Sequence, residues 1–149
     1  MFESLPDIPR LFTALAEWGA ALVYVFVVAR SASSNALNPN AAIPRWRLSV
    51  AAVGGLVVLA SAQELLGRAP LSLWVPGMMT AYALVWCVIR VGTALDWRWV
   101  THMSTRAFIV AELAASLAWQ VVVYSHADKP YWHPASFGGF AAIAVTCLA

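Results

Sequence analysis

Residues 107–125 read AFIVAELAASLAWQVVVYS, an almost wholly apolar run carrying one carboxylate, Glu112, and one amide, Gln120. As a helix rising about 1.5 Å per residue, the run reaches roughly 28 Å, enough to cross the hydrocarbon core of a bilayer. An acid at mid-bilayer costs about 2.5–3.5 kcal/mol on insertion scales, so Glu112 is expected to face other helices and not lipid. The run has an echo near the N-terminus. Ala16–Val28 is AEWGAALVYVFVV and Ala111–Val123 is AELAASLAWQVVV; both place a Glu after an Ala, then small residues, Leu, an aromatic and valines.

The whole chain agrees with this reading. Its 149 residues are 62% hydrophobic and only 11% charged, with a mean hydropathy of +0.74. Soluble domains average about 45–50% apolar and about 25% charged residues, so this chain has too little charge to clothe a water-facing surface. Lipid is the expected neighbour. A net charge of +2 is too small to suggest a nucleic-acid partner. Cys87 and Cys147 both lie in apolar stretches, without the spacing of a metal site, and read as free thiols. Met1–Arg10 holds Glu3, Asp7, Pro6 and Pro9 where a signal peptide would be basic, so the apolar run that follows reads as a retained helix.

Hydropathy and breakers predict an all-α, polytopic transmembrane bundle: one membrane domain over 1–149, with four full spans and a shorter fifth. The spans fall at about 11–29, 48–66, 71–95, 107–125 and 135–149. Gly54–Gly55 offers a neighbouring helix a close approach, and Pro76–Gly77 predicts a bend or a late helix start. Asp96–Arg106, rich in Trp and Arg, reads as a connector. Arginines cluster around the first connection (Arg30, Arg45, Arg47) and the third (Arg90, Arg98, Arg106), and thin out elsewhere. This alternation predicts a bacterial-type inner-membrane protein with its N-terminus outside and its C-terminus in the cytoplasm. Trp46, Trp97 and Trp99 then mark the inner interface, Trp74 and Trp132 the outer one.

That topology assigns depths to the polar groups. Glu17, Gln63, Glu64 and Gln120 form an outer-leaflet polar layer, while Arg90 and Glu112 lie near the inner surface on consecutive helices and are expected to pair. Glu112, Ser116 and Gln120 recur every four residues and predict one polar stripe. If the echo is a repeat, it is an inverted one, as in many transporters. Its two glutamates then stand at opposite depths, in two separate polar layers.

Nothing predicts catalysis. HExxH, GxSxG, a glycine-rich phosphate loop and an acidic metal motif are all absent, so the chain reads as a non-enzyme without cofactor or metal. His126, Asp128 and His133 read as solvated loop residues, and His102, beside Trp99, as interfacial. Two functions fit. One is proton-linked transport or permeation of a small solute using intramembrane glutamates. The other is a non-catalytic membrane scaffold or accessory subunit, including a self-assembling, holin-like protein of the phage-lysis type. Either would work as a homo-oligomer or beside a partner membrane subunit.

Overall fold

The computed structural model describes residues 10–34 and 43–125. The fifth span expected at 135–149, the turn with His126, Asp128 and His133, and Cys147 lie outside the described residues. The described chain is helical throughout its regular structure, in four helices: α1 (Arg10–Ser34), α2 (Arg45–Gly67), α3 (Trp74–Thr93) and α4 (Trp97–Ser125). α2 is continuous but passes through one π-helical turn, Val50–Gly54. Helices α1, α2 and α3 are long and apolar enough to cross a membrane.

Local chemistry sets the boundaries. Pro44 precedes the first turn of α2, and its carbonyl accepts from Arg47 N–H at 3.0 Å. A single 3₁₀ turn, Leu71–Leu73, leads into α3. Pro76 falls in the first turn of α3, where its missing N–H costs no helical bond. The late start expected from Pro76–Gly77 is therefore what the chain adopts. α3 stops at Ala94, whose left-handed φ of 55° turns its N–H back onto the Arg90 carbonyl at 3.1 Å. Asp96 then opens α4, its carbonyl taking Val100 N–H at 3.1 Å and its carboxylate Arg98 N–H at 3.4 Å.

The connector expected over Asp96–Arg106 is thus not a loop. Only Ala94–Asp96 joins α3 to α4, and helix runs from Trp97 onward. Trp and Arg mark an interface but do not break a helix, and no Gly or Pro occurs between 97 and 125. α1 likewise runs past its expected end at Ala29, to Ser34.

Consecutive helices are antiparallel. α1 is the hub: it packs on α2, α3 and α4, and α3 also touches α2 and α4. The core is made of small residues. Ala16, Ala20 and Ala21 of α1 and Ala107, Ala111, Ala115 and Ala118 of α4 belong to one buried cluster, with Val25, Leu59, Val85 and Ile89. Two glycines set close approaches. A Cβ on Gly92 would stand 2.7 Å from Val25 Cγ2, and one on Gly55 3.0 Å from Val88 Cγ2. Large apolar side chains point outward instead, among them Phe26 (53% exposed), Val53 (67%) and Leu65 (69%). Small residues inside and large apolar ones outside is how helices associate in lipid, where apolar burial between them gains little and backbone approach gains more.

Candidate functional site

The hub helix carries the most deeply buried acid. On α1, Thr13, Ala16, Glu17, Ala20 and Ala21 recur at helical spacing and turn one face into the bundle. Glu17 is 0% exposed. On α2 the inward seam is Ala51, Gly55, Leu59 and Gln63, spaced by four. Its last member donates Nε2–H to Glu17 Oε1 at 2.8 Å. On α4, Glu112 brings its half-buried carboxyl into hydrogen-bonding reach of Glu17. Glu17 Oε2 and Glu112 Oε1 are both buried and find no donor. Two neighbouring acids inside a bundle raise each other's cost of carrying charge.

Arg10 lies two turns before Glu17 on the same helix, and its charge acts on Glu112 without an ion pair between them. Its stem lies across the end of α2, where Gly67 makes room: a Cβ there would stand 2.8 Å from Arg10 Cγ. Arg10 and Gln63 also form the polar wall of a half-open cleft of about 230 Å³ between the start of α1, the end of α2 and the start of α3. Its other wall is apolar, with Leu66, Leu73, Trp74 and Met78. The cleft opens at the bundle end where α1 starts. Towards the far end the interior is filled by Val25, Ala51, Val85, Val88 and Ile89. Among the described residues, the cleft thus adjoins Glu17 through Gln63, and the interior towards the far end is filled by apolar side chains.

Trp18, next to Glu17, anchors this geometry. Its indole N–H donates to the Ala52 carbonyl in the π turn at 2.7 Å, fixing the rotation of α1 against α2. Phe12 and Trp119 close α1 on α4 with ring centroids 6.2 Å apart.

The structure rearranges the expected polar groups. Arg90 and Glu112 do not pair. Arg90 lies near the end of α3, exposed, and donates to the Leu95 carbonyl. Glu112 is fifteen residues into α4, roughly 22 Å along its axis from the turn that holds Arg90. The helix continuing through 97–106 lifts Glu112 to the level of Glu17, so the two expected layers become one cluster. Gln63 belongs to that cluster, whereas its neighbour Glu64 is exposed, about 100° around the helix. Gln120 is exposed beside Leu117, Val121 and Tyr124. The expected stripe of Glu112, Ser116 and Gln120 leaves the interior because a step of four residues drifts about 40° against the helical turn.

Arg10 is the member that sequence reading passed over as a leader charge. Its position seven residues before Glu17, on the same face, is the signal that identifies it. Among the described residues, no three His, Cys, Asp or Glu side chains stand together as a metal site. Cys87 is an exposed free thiol. No family model, no curated protein and no solved structure matches the chain.

Proposed function

We propose that the chain is a small multi-pass membrane protein that binds protons at the Glu17–Glu112 pair and uses them to move a small solute. In this reading α4 spans the membrane beside α1, α2 and α3. The basic, tryptophan-bearing end faces the cytoplasm: Arg30, the Arg45–Arg47 cluster, Arg90 and Trp97–Trp99 share it through the antiparallel order of the helices. The N-terminal end of α1, with the cleft, then faces outside a bacterial-type inner membrane.

The observation that carries this reading is a fully buried acid, Glu17, with one carboxyl oxygen lacking a donor and the other held by Gln63, a residue that also lines a cleft at one end of the bundle. Ionisable residues inside membrane helices are rare and characteristically mark ion and proton pathways. The packed opposite end suits alternating access better than an open pore, since a pore needs a continuous path.

The test is proton uptake by proteoliposomes under an imposed pH gradient. Wild type is expected to carry protons, and Glu17→Gln and Glu112→Gln to abolish the flux while keeping the monodisperse, helical fold in detergent. The scaffold reading is favoured by the same cluster seen as helix–helix glue, because Glu17 joins α1 to α2 through Gln63. It predicts no flux in wild type and loss of assembly or stability in both variants.

A further inference from the structure

We propose that the first three turns of α4 bind an anionic phospholipid, with Arg98, His102 and Arg106 on its phosphate and the apolar turns that follow along its acyl chains. The proposal rests on the membrane placement given above and is independent of proton binding.

The site begins as a sequence pattern. Arg98, His102 and Arg106 recur every four residues, so they stand on one side of α4 within about 80° of each other. All three are exposed. Arg98 rests over the Trp97 ring, 5.5 Å from its centroid. Among the described residues none of the three forms an ion pair, and the carboxylate of Asp96 takes the backbone N–H of Arg98. Further along, Ile109, Leu113 and Leu117 fall in the same sector and are exposed, at 52%, 58% and 52%. One face of one helix is therefore cationic for three turns and apolar for the next three. That is the order of an amphiphile lying along it.

Hydrogen bonds to α3 set which way this face points. Thr101 gives its O–H to the Trp97 carbonyl at 2.8 Å and accepts Trp86 Nε1–H at 3.1 Å. One turn on, Thr105 gives its O–H to the Thr101 carbonyl at 2.9 Å and stands 3.1 Å from the Tyr82 hydroxyl, which is left to donate. Thr101 and Thr105 thus face α3, and His102 and Arg106, one residue on from each, turn away from it.

The same register places the stripe within the span. Trp86 opposite Thr101 and Tyr82 opposite Thr105 put Arg106 level with Ala81, near the middle of α3. In this half of the bundle α1 exposes Phe26 and Val27, and α2 exposes Val50 and Val53. Those faces suit lipid tails, whereas a guanidinium rooted at that depth does not. Helical side chains lean towards the helix N-terminus, which for α4 is the basic, tryptophan-bearing end. Arg106 is rooted roughly 12 Å deeper than Arg98 and reaches back towards it. The charges gather at headgroup depth beside the exposed Trp97 and Trp99, and the apolar turns stay at tail depth. Guanidiniums bind phosphate oxygens through paired N–H···O bonds. A zwitterionic headgroup brings its own cation into the cluster, so a headgroup of net negative charge is preferred.

Native mass spectrometry of the full chain reads bound lipid and oligomeric state together. The protein is released from a mild detergent holding equal amounts of phosphatidylglycerol and phosphatidylcholine. The expected result is one retained phosphatidylglycerol, favoured at least fivefold over phosphatidylcholine. Arg98→Gln with Arg106→Gln should bring the ratio near one, and Arg98→Lys with Arg106→Lys should keep most of it. Arg45→Gln with Arg47→Gln removes the same charge from the same end of the molecule on another helix, and should leave the ratio within twofold. Circular dichroism checks that each variant is folded. If the paired Gln variant is not, His102→Glu, which sets an acid in the stripe, should lower the ratio by itself.

Equal retention of the two lipids by wild type overturns the inference. So does an equal loss when Arg45 and Arg47 are replaced, because the preference then follows overall charge. Millimolar inorganic phosphate that displaces phosphatidylglycerol also overturns it, since the site is then one for a free anion. A dimer that the paired Gln variant breaks, with no lipid retained, overturns it in favour of a second copy. Glu17→Gln should retain phosphatidylglycerol as wild type does, so this site and the proton-linked reading fail separately.

Discussion

Gln63 shows how one side chain decides the state of a buried acid. Its amide donates to Glu17 Oε1, and it is itself 3% exposed. Gln63→Leu should remove that bond and leave both Glu17 oxygens without a donor, costing about 1–3 kcal/mol. Unfolding in detergent by heat or by denaturing surfactant measures it. If the cost comes from a stranded acid, Glu17→Leu added to Gln63→Leu should recover part of it, since removing both partners is cheaper than removing one. Trp18→Phe should cost less, about 0.5–1.5 kcal/mol, because one hydrogen bond to the Ala52 carbonyl is lost and the ring volume is largely kept.

At the level of elements, the close α1–α3 and α2–α3 contacts rest on absent side chains. Gly92→Ala would press a methyl group to 2.7 Å and 2.8 Å from the two Val25 methyls and 3.1 Å from Ala51 Cβ. Overpacking of this kind costs about 1–3 kcal/mol, and the expected readout is a lower melting temperature in detergent. Val25→Ala in the same chain should restore most of the loss, a coupling that distant pairs do not show.

The π turn makes a second prediction. A π turn of this length holds one residue more than an α-helix needs. Deleting the exposed Val53 should therefore leave Gln63 facing Glu17 and proton binding intact. Inserting an alanine there should swing Gln63 about 100° away and cost both stability and flux.

The echo between α1 and α4 also belongs at this scale. Glu17 and Glu112 occupy the same place in the two matching segments, and they meet where these antiparallel helices pack together.

For the molecule as a whole, the orientation is open to direct labelling. Starting from a chain with Cys87 and Cys147 replaced, a cysteine at Leu73, exposed at the cleft, should react with an impermeant maleimide from outside. A cysteine at Trp97 should react only in inverted membranes. Labelling of both from the same side would break the antiparallel order, and reversed labelling would turn the cleft to the cytoplasm.

Much of this protein is legible in residues alone. The apolar runs and the scarcity of charge mark out helices apolar enough to cross a membrane. These are properties of each segment against its solvent and need no knowledge of its neighbours. The inward side of each acid is legible too, since small residues flank Glu17 and Glu112. Which acids meet was decided only by tertiary structure. The placing of Glu112 beside Glu17, and not beside Arg90, depends on the three-residue turn Ala94–Asp96 and a helix that continues through 97–106. Each residue moved from loop to helix shifts everything after it by about 1.5 Å along the axis and about 100° around it. Ten such residues carry Glu112 from the level expected for Arg90 to that of Glu17, because a helix propagates its register while local composition does not record where that register began.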